Sequence, residues 1–294
     1  MTRPVVYFTD KIDPKTVVEL YKKVGKELPG KVAVKLHSGE KGNQNFLRPE
    51  FWQPMVEAVN GTVVECNTAY GGERNSTAKH KKLIKYHGWD SLFDVDLMDA
   101  EGPDIELAIP NGKVLDKSFV GKNMANYDSM LVLAHFKGHP MGGFGGALKQ
   151  LGIGCESTRG KAYVHSAGRT DDQTKCWDPL PPQDTFLESM ADAASSIVEF
   201  FKGNMVFINV MANISVDCDC CAVAEDPCMK DIGMLASLDP IAIDQACIDL
   251  VYAATDDPGQ KHFLERVESR HGIHTIEAAA ELGFGTRDYE LVRL

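Results

Sequence analysis

No apolar run in the chain approaches the ~20 residues that a bilayer crossing needs. Positive charge is also in deficit: 31 Lys and Arg face 42 Asp and Glu, for a formal net charge of −11. No basic stripe is available to neutralise phosphates, which argues against nucleic-acid partners and against an anionic membrane surface. The opening residues turn polar too soon for a secretory leader, so a cytoplasmic chain is expected. The common nucleotide fingerprints are missing too. Gly-x-Gly-x-x-Gly would need a glycine after Gly143 and Gly145 where Leu148 stands, and a P-loop would need Gly-Lys-Ser/Thr where Lys149 lies between Leu148 and Gln150. The ferredoxin spacing C-x2-C-x2-C is absent, and so are paired C-x2-C zinc knuckles.

Apolar residues make up 44% of the 294 and charged residues 25%, an ordinary globular composition with room for a large core. Short β-branched runs recur at residues 5–8, 31–36, 62–66, 105–109, 130–134 and 205–210. Several are apolar throughout, as strands covered on both faces are. Helical patterns lie between and after them at 16–26, 49–59, 77–86, 184–201 and 239–253, the last opening with Asp239 as N-cap and Pro240 at the first position. The alternation predicts an α/β fold: a mostly parallel sheet with helices on both faces, in one unit. Two lobes, 1–125 and 126–294, would meet at a hinge near residues 121–128 around a cleft. In such sheets ligands sit beyond the carboxyl ends of the strands. His37, the segment Asn67–Arg74 and the segment His135–Lys149 all follow strands in that way.

Three segments carry chemistry-bearing residues. The first is the glycine-rich loop: four glycines in five positions (142, 143, 145, 146), framed by His135, Lys137, His139, Lys149 and His165. So many glycines let backbone come close to another group, and the stretch reads as a pocket wall rather than a hairpin turn. A nest of backbone N–H groups at Gly143, Gly145 and Gly146 would suit an anion, although a tight structural crossover has the same composition. The second is the cysteine cluster. Four of eight cysteines (218, 220, 221, 228) fall within eleven residues, interleaved with Asp217 and Asp219. Thiols so placed suit soft metals better than disulfides in a reducing compartment, and Cys218, Cys220 and Cys221 are the candidate ligands. Buried, metal-free cysteines are the plain alternative. The third is Asn67–Arg74, where Asn67 and Arg74 can address a polar ligand, Arg74 by a two-pronged grip on a carboxylate or phosphate. His80 and His87 share a helical face behind it, and His87 reads as part of an exposed helix. Asp244 lies on an apolar helical face and needs a partner, either as a core hydrogen-bonder or as an orienter of a ligand.

Together these segments resemble domain-of-unknown-function family 362, whose members are often labelled iron–sulfur centre proteins. The matching pieces are residues 32–40, 67–74, 135–139, 142–154 and 231–246. Many relatives carry a ferredoxin-like cysteine insert after the segment matching His165, where this chain has only Cys176. A more local resemblance joins His139, Gly143, Phe144, Gly146, Lys149, Gly154 and His165 to the active-site stretch of the nickel-pincer lactate racemase family. That resemblance implies Lys149 as the anchor of a tethered pincer nucleotide, His165 as a nickel ligand and His139 as the acid/base. This chain departs from it in lacking the double glycine beside the lysine and in having Ile153 where a proline is expected.

Three readings follow. One is a metal-dependent enzyme (iron, zinc or nickel) acting on a small anionic substrate, with His139 and Lys149 catalytic and His165 among the metal ligands. A second is a carrier of electrons or metal that uses the Cys218–Cys228 segment, with an iron–sulfur cluster or a thiolate-bound ion, and a redox partner. A third is a pocket binding a nucleotide or acidic metabolite without chemistry.

Overall fold

The computed structural model describes residues 3–294, and its centre is one eight-stranded sheet. In chain order the strands are β1 (Val5–Thr9), β2 (Val32–Lys35), β3 (Thr62–Glu65), β4 (Val95–Leu97), β5 (Ile105–Ala108), β6 (Lys117–Val120), β7 (Ser129–His135), β8 (Lys137–His139), β9 (Gly143–Gly145), β10 (Met205–Met211), β11 (Gly233–Ser237) and β12 (Glu290–Arg293). The sheet order is β12-β1-β11-β10-β7-β2-β3-β4. β11 is antiparallel to both its neighbours, and every other pairing in the sheet is parallel. The expected α/β architecture with a mostly parallel sheet is therefore the one observed.

The central strands are apolar throughout because both faces are covered. In β7, Met130 and Val132 enter one core while Leu131 and Leu133 enter the other. Helices α1 (Pro14–Val24), α2 (Pro49–Ala58) and α3 (Thr77–Tyr86) cover one face with Val17, Leu20, Trp52, Met55 and Ile84. The other face is covered by α4 (Ala147–Lys149), α5 (Thr158–His165), α6 (Gln183–Phe201), α7 (Pro240–Ala253), α8 (Gln260–Ser269) and α9 (His274–Leu282). The helical pattern expected at 16–26 starts two residues earlier, since Asp13 caps the helix and Pro14 opens it. At 239–253 the cap is as read, with Asp239 accepting from the Ile241 and Ala242 amides.

Two expectations need correction. The run at 105–109 forms a strand outside the main sheet: β5 pairs with β6 as a separate two-stranded ribbon. The glycine segment, read as a pocket wall and not a hairpin, is a hairpin after all, with β8 paired antiparallel to β9 through Lys137↔Gly145 and His139↔Gly143. One sheet also runs through both proposed lobes. β1, from the first, lies between β11 and β12, from the second, and β2 pairs with β7. No helix among the described residues is long and apolar enough to cross a membrane.

Candidate functional site

Four adjacent parallel strands, β10, β7, β2 and β3, end on the same side, and the segments leaving them meet there. β2 delivers Lys35 and His37, β3 delivers Glu65 and the turn to Arg74, and β7 delivers His135, Lys137 and His139. The loop after β10 delivers Cys218, Asp219 and Cys220. A cavity of about 50 Å³ lies between them, with Lys35, Arg74, Lys149 and Lys161 among its lining cations and Glu65 as its carboxylate.

The β2–β3 wall is a closed charge network. Lys35 Nζ donates to the Leu36 carbonyl, to Glu65 Oε2 at 3.4 Å and to Gln150 Oε1 at 3.2 Å. Glu65 also accepts from the Ser38 amide at 2.6 Å and pairs with Arg74 at 3.9 Å. Arg74 is further held by Glu40 at 3.3 Å and by the Tyr70 hydroxyl at 2.5 Å. Burial opposes ionisation of Glu65, but Lys35 and Arg74 outweigh it and bring the carboxyl down to about 2.

The thiol wall is built on the loop after β10. The Asp219 carboxylate takes His135 Nδ1 at 2.9 Å and Lys137 Nζ at 2.9 Å, which pins the loop to the end of β7. His135 Nε2 faces the Ala212 carbonyl at 2.6 Å, so both ring nitrogens meet acceptors. On either side of Asp219, the Cys218 and Cys220 thiols and a nitrogen of the His139 ring all lie within 4.8 Å of one another. Lys149 Nζ is 3.7 Å from Cys218 Sγ, and His139 Nε2 is 3.8 Å from Cys220 Sγ. Burial raises the Cys218 thiol well above its ordinary value, against the pull of Lys149 and Lys137.

His139 and His165 present opposite chemistry to the cavity. His139 Nδ1 accepts two backbone amides, from Met141 at 3.2 Å and Gly142 at 2.8 Å, so Nε2 carries the proton. His165 Nδ1 donates to the Lys161 carbonyl at 2.7 Å, which leaves the Nε2 lone pair exposed to a ligand, the usual posture of a metal-bound imidazole. Both rings are held neutral: burial, with Lys149 and other cations nearby, pushes His139 well below its ordinary value, and burial lowers His165 to about 4.

Lys149 owes its position to Asp244. One carboxylate oxygen accepts from the Ala147 amide at 2.8 Å and the other from Leu148 at 2.9 Å, capping the short turn that carries the lysine. Asp244 is thus a core hydrogen-bonder, one of the two readings its sequence context allowed, and through these amides it holds the turn that carries Lys149.

Other expected residues do different work. Asn67 does not face the cavity, because its side chain is engaged by Thr77 at 3.0 Å and His80 at 3.2 Å. The glycines make room for protein. Gly143, at φ +79°, would place a Cβ 2.8 Å from Gly272 Cα, and at Gly146 a Cβ would sit 2.3 Å from Asp244 Oδ1. Gly145 lies against the Lys149 side chain. Close approach of backbone was the right inference, but the approaching group is the chain itself. Cys221 is half-buried beside Cys220 and outside the three-residue group. Cys228 turns back to the Ile214 carbonyl at 3.4 Å. Four thiols, which a cubane iron–sulfur cluster requires, therefore do not converge among the described residues. His87, read as exposed, is only half-buried, with Nδ1 3.0 Å from the Ser38 carbonyl. Lys35, Glu65, Gln150 and Lys161 give no signal in the sequence, since single polar or charged residues inside strand and helix patterns carry none of their own.

A family model matches residues 32–249, the family described as domain of unknown function (DUF362). The chain belongs to that family. Its DUF362 segment contains every cavity-lining residue named above. No curated protein matches the chain. Among solved structures it is similar to the lactate racemase apoprotein from Thermoanaerobacterium thermosaccharolyticum, at 13% identity and a TM-score of 0.41, over 69% of this chain and 50% of that one. It is also similar to a structural-genomics protein from Thermotoga maritima, at 11% identity and a TM-score of 0.46, over 92% of this chain and 60% of that one. The chain thus spans half of the first protein's length and three-fifths of the second's.

Proposed function

We propose that the chain is a metal-dependent enzyme acting on a small anionic substrate in the cavity at the carboxyl ends of β10, β7, β2 and β3. The observation that carries this reading is the juxtaposition of two thiols and an imidazole within 4.8 Å, at the edge of a cavity lined by four cationic side chains. Two sulfurs and a nitrogen fit a soft or borderline ion such as zinc, nickel or iron(II). Cys218 and Cys220 would hold it as thiolates, with Lys137 and Lys149 offsetting the buried negative charge. His139 joins them only by giving up the Nε2 proton, so in its present hydrogen bonding it serves better as a proton donor to a bound substrate. The His165 lone pair is a further ligand position on the cavity wall. When bound, the metal supplies Lewis acidity.

A tethered nucleotide at Lys149 does not fit. The cavity of about 50 Å³ is far smaller than the roughly 300 Å³ and more of ordinary small-molecule sites, and the Lys149 ammonium is engaged by the Cys218 thiol at 3.7 Å.

Elemental analysis of anaerobically purified protein tests the reading. About one equivalent of a transition metal is expected in the wild type and a loss of most of it in both Cys218→Ser and Cys220→Ser. A metal-free wild type whose melting temperature does not respond to added zinc, nickel or iron(II) would overturn it.

A further inference from the structure

Gln150 has a donor with nothing to donate to. Its side-chain oxygen takes the Lys35 ammonium at 3.2 Å, which fixes the orientation of the amide, since the flipped form would set an NH2 group against an ammonium. The Nε2 group is buried and has no hydrogen-bond partner. The residue is 6% exposed and lines the cavity. Leaving such a group unmet forfeits its hydration with no bond in return.

Two cations in the same lining are in a similar position. Lys149 Nζ has Cys218 Sγ as its partner, and Lys161 Nζ, 6% exposed, has the Glu156 carbonyl. Neither makes a salt bridge to a carboxylate among the described residues, although a buried ammonium ordinarily has one. Their neighbours Lys35 and Arg74 both do. His37 also lines the cavity, and its Nδ1 accepts the Gly39 amide at 3.0 Å, so its Nε2 carries a proton.

From these donors we infer that the cavity is a subsite for one carboxylate group, received by Gln150 Nε2 and the ammonium groups of Lys149 and Lys161. The inference rests on the anionic-substrate half of the proposed function and is independent of the metal. Size selects a carboxylate over a larger oxyanion. The volume suits a few waters or a group of that bulk.

The test is binding of acetate to the full-length protein, followed by thermal shift and by line broadening of 13C-labelled acetate at constant ionic strength, with chloride as the reference anion. Saturable binding of acetate is expected, with phosphate no better than chloride. Gln150→Glu changes a single atom, keeps the Lys35 contact and puts a repelling oxygen where the orphaned donor stands, so it should weaken acetate at least tenfold. Lys161→Met should weaken it at least fivefold. Acetate indistinguishable from chloride would overturn the inference, as would unchanged affinity in Gln150→Glu or tighter binding of phosphate than of acetate. Repeating the titration with Cys218→Ser separates the two claims. Acetate binding that survives in a metal-free variant leaves the subsite standing whatever becomes of the metal centre.

Discussion

At the ends of β2 and β3 every buried charge has more than one partner, whereas on the loop that carries the thiols a single carboxylate is the counter-ion of Lys137. Lys35 has three acceptors, and Arg74 is shared among Glu40, Glu65 and Tyr70. On the other wall Asp219 alone receives both His135 and Lys137. The difference is one of support. Strand ends are fixed by the sheet ladder, so charges there can be shared out over several neighbours. A loop has no ladder, and the backbone of this one is held from outside, by Asn43 on the Cys218 and Cys221 carbonyls, Tyr70 on the Cys220 carbonyl and the Glu40 amide on the Asp219 carbonyl. Charge compensation on the thiol wall is therefore concentrated in Asp219, while that of the cationic wall is distributed.

Replacing the concentrated tie should have the largest effect. Asp219→Asn leaves Lys137 buried without a counter-ion, and a loss of about 3–5 kcal/mol is expected in urea unfolding, together with faster labelling of Cys218 and Cys220 by thiol reagents. A loss below about 1 kcal/mol would erase the contrast between the walls. Glu65→Gln should cost less, about 1–3 kcal/mol, since Lys35 keeps Gln150 and the Leu36 carbonyl while Arg74 keeps Glu40. If it proved the more damaging of the two, the distributed wall would be the fragile one. The Glu65 contribution also has a pH signature. Its carboxyl lies at about 2 when folded against an ordinary 4.5, so the stabilisation is complete above 4.5 and is lost as pH falls toward 2.

A smaller effect comes from the neutral groups around the cavity. Burial lowers His80 to about 3 and His165 to about 4, from 6.5. Between those values and 6.5 the unfolded chain binds more protons than the folded one, so these histidines make stability rise with pH up to about 6.5. Glu156 works the other way: burial raises its carboxyl to about 8 from 4.5, and its contribution falls as pH rises through that range. The melting temperature should climb between pH 4 and 6.5 and decline gently toward pH 8, and Glu156→Gln should remove the decline. A decline that persists in that variant would assign it to another group. The smallest expected effect is that of Cys228→Ser. Its thiol belongs to neither wall, so metal content should be unchanged and stability within about 1 kcal/mol of wild type. Loss of metal there would extend the thiol site beyond Cys218 and Cys220.

Most of the fold was legible in the chain. The run at 62–66 and the helix at 77–86 can be placed to within a residue because their apolar periods differ, 2 or continuous in a strand against 3.6 in a helix. The strand at 105–109 was legible as a strand but not as a ribbon apart from the sheet, because pairing partners leave no trace in local pattern. The site was legible in part. His139, Lys149, His165, Arg74, Cys218 and Cys220 are unusual enough in their spacing to be noticed, and the structure gathers all of them except Cys218 into the cavity lining, with the Cys218 thiol beside Lys149 and Cys220. Asn67 and the glycines also stood out, yet they serve the scaffold. A glycine records that something comes close to it without recording what.

By itself, the sequence determined the class of fold, the strands whose ends would carry chemistry and the residue types available there, because periodicity and composition are local properties of the chain. Tertiary structure alone decided the rest. It gave His139 an N–H and His165 a lone pair, through the amides of Met141 and Gly142 in one case and the Lys161 carbonyl in the other. It gave Asp244 to the turn of Lys149, and it left Gln150 with a buried donor unmet. Each of these is a hydrogen bond or a missing one, and which groups come within 3 Å of each other is settled only when the sheet brings distant segments together.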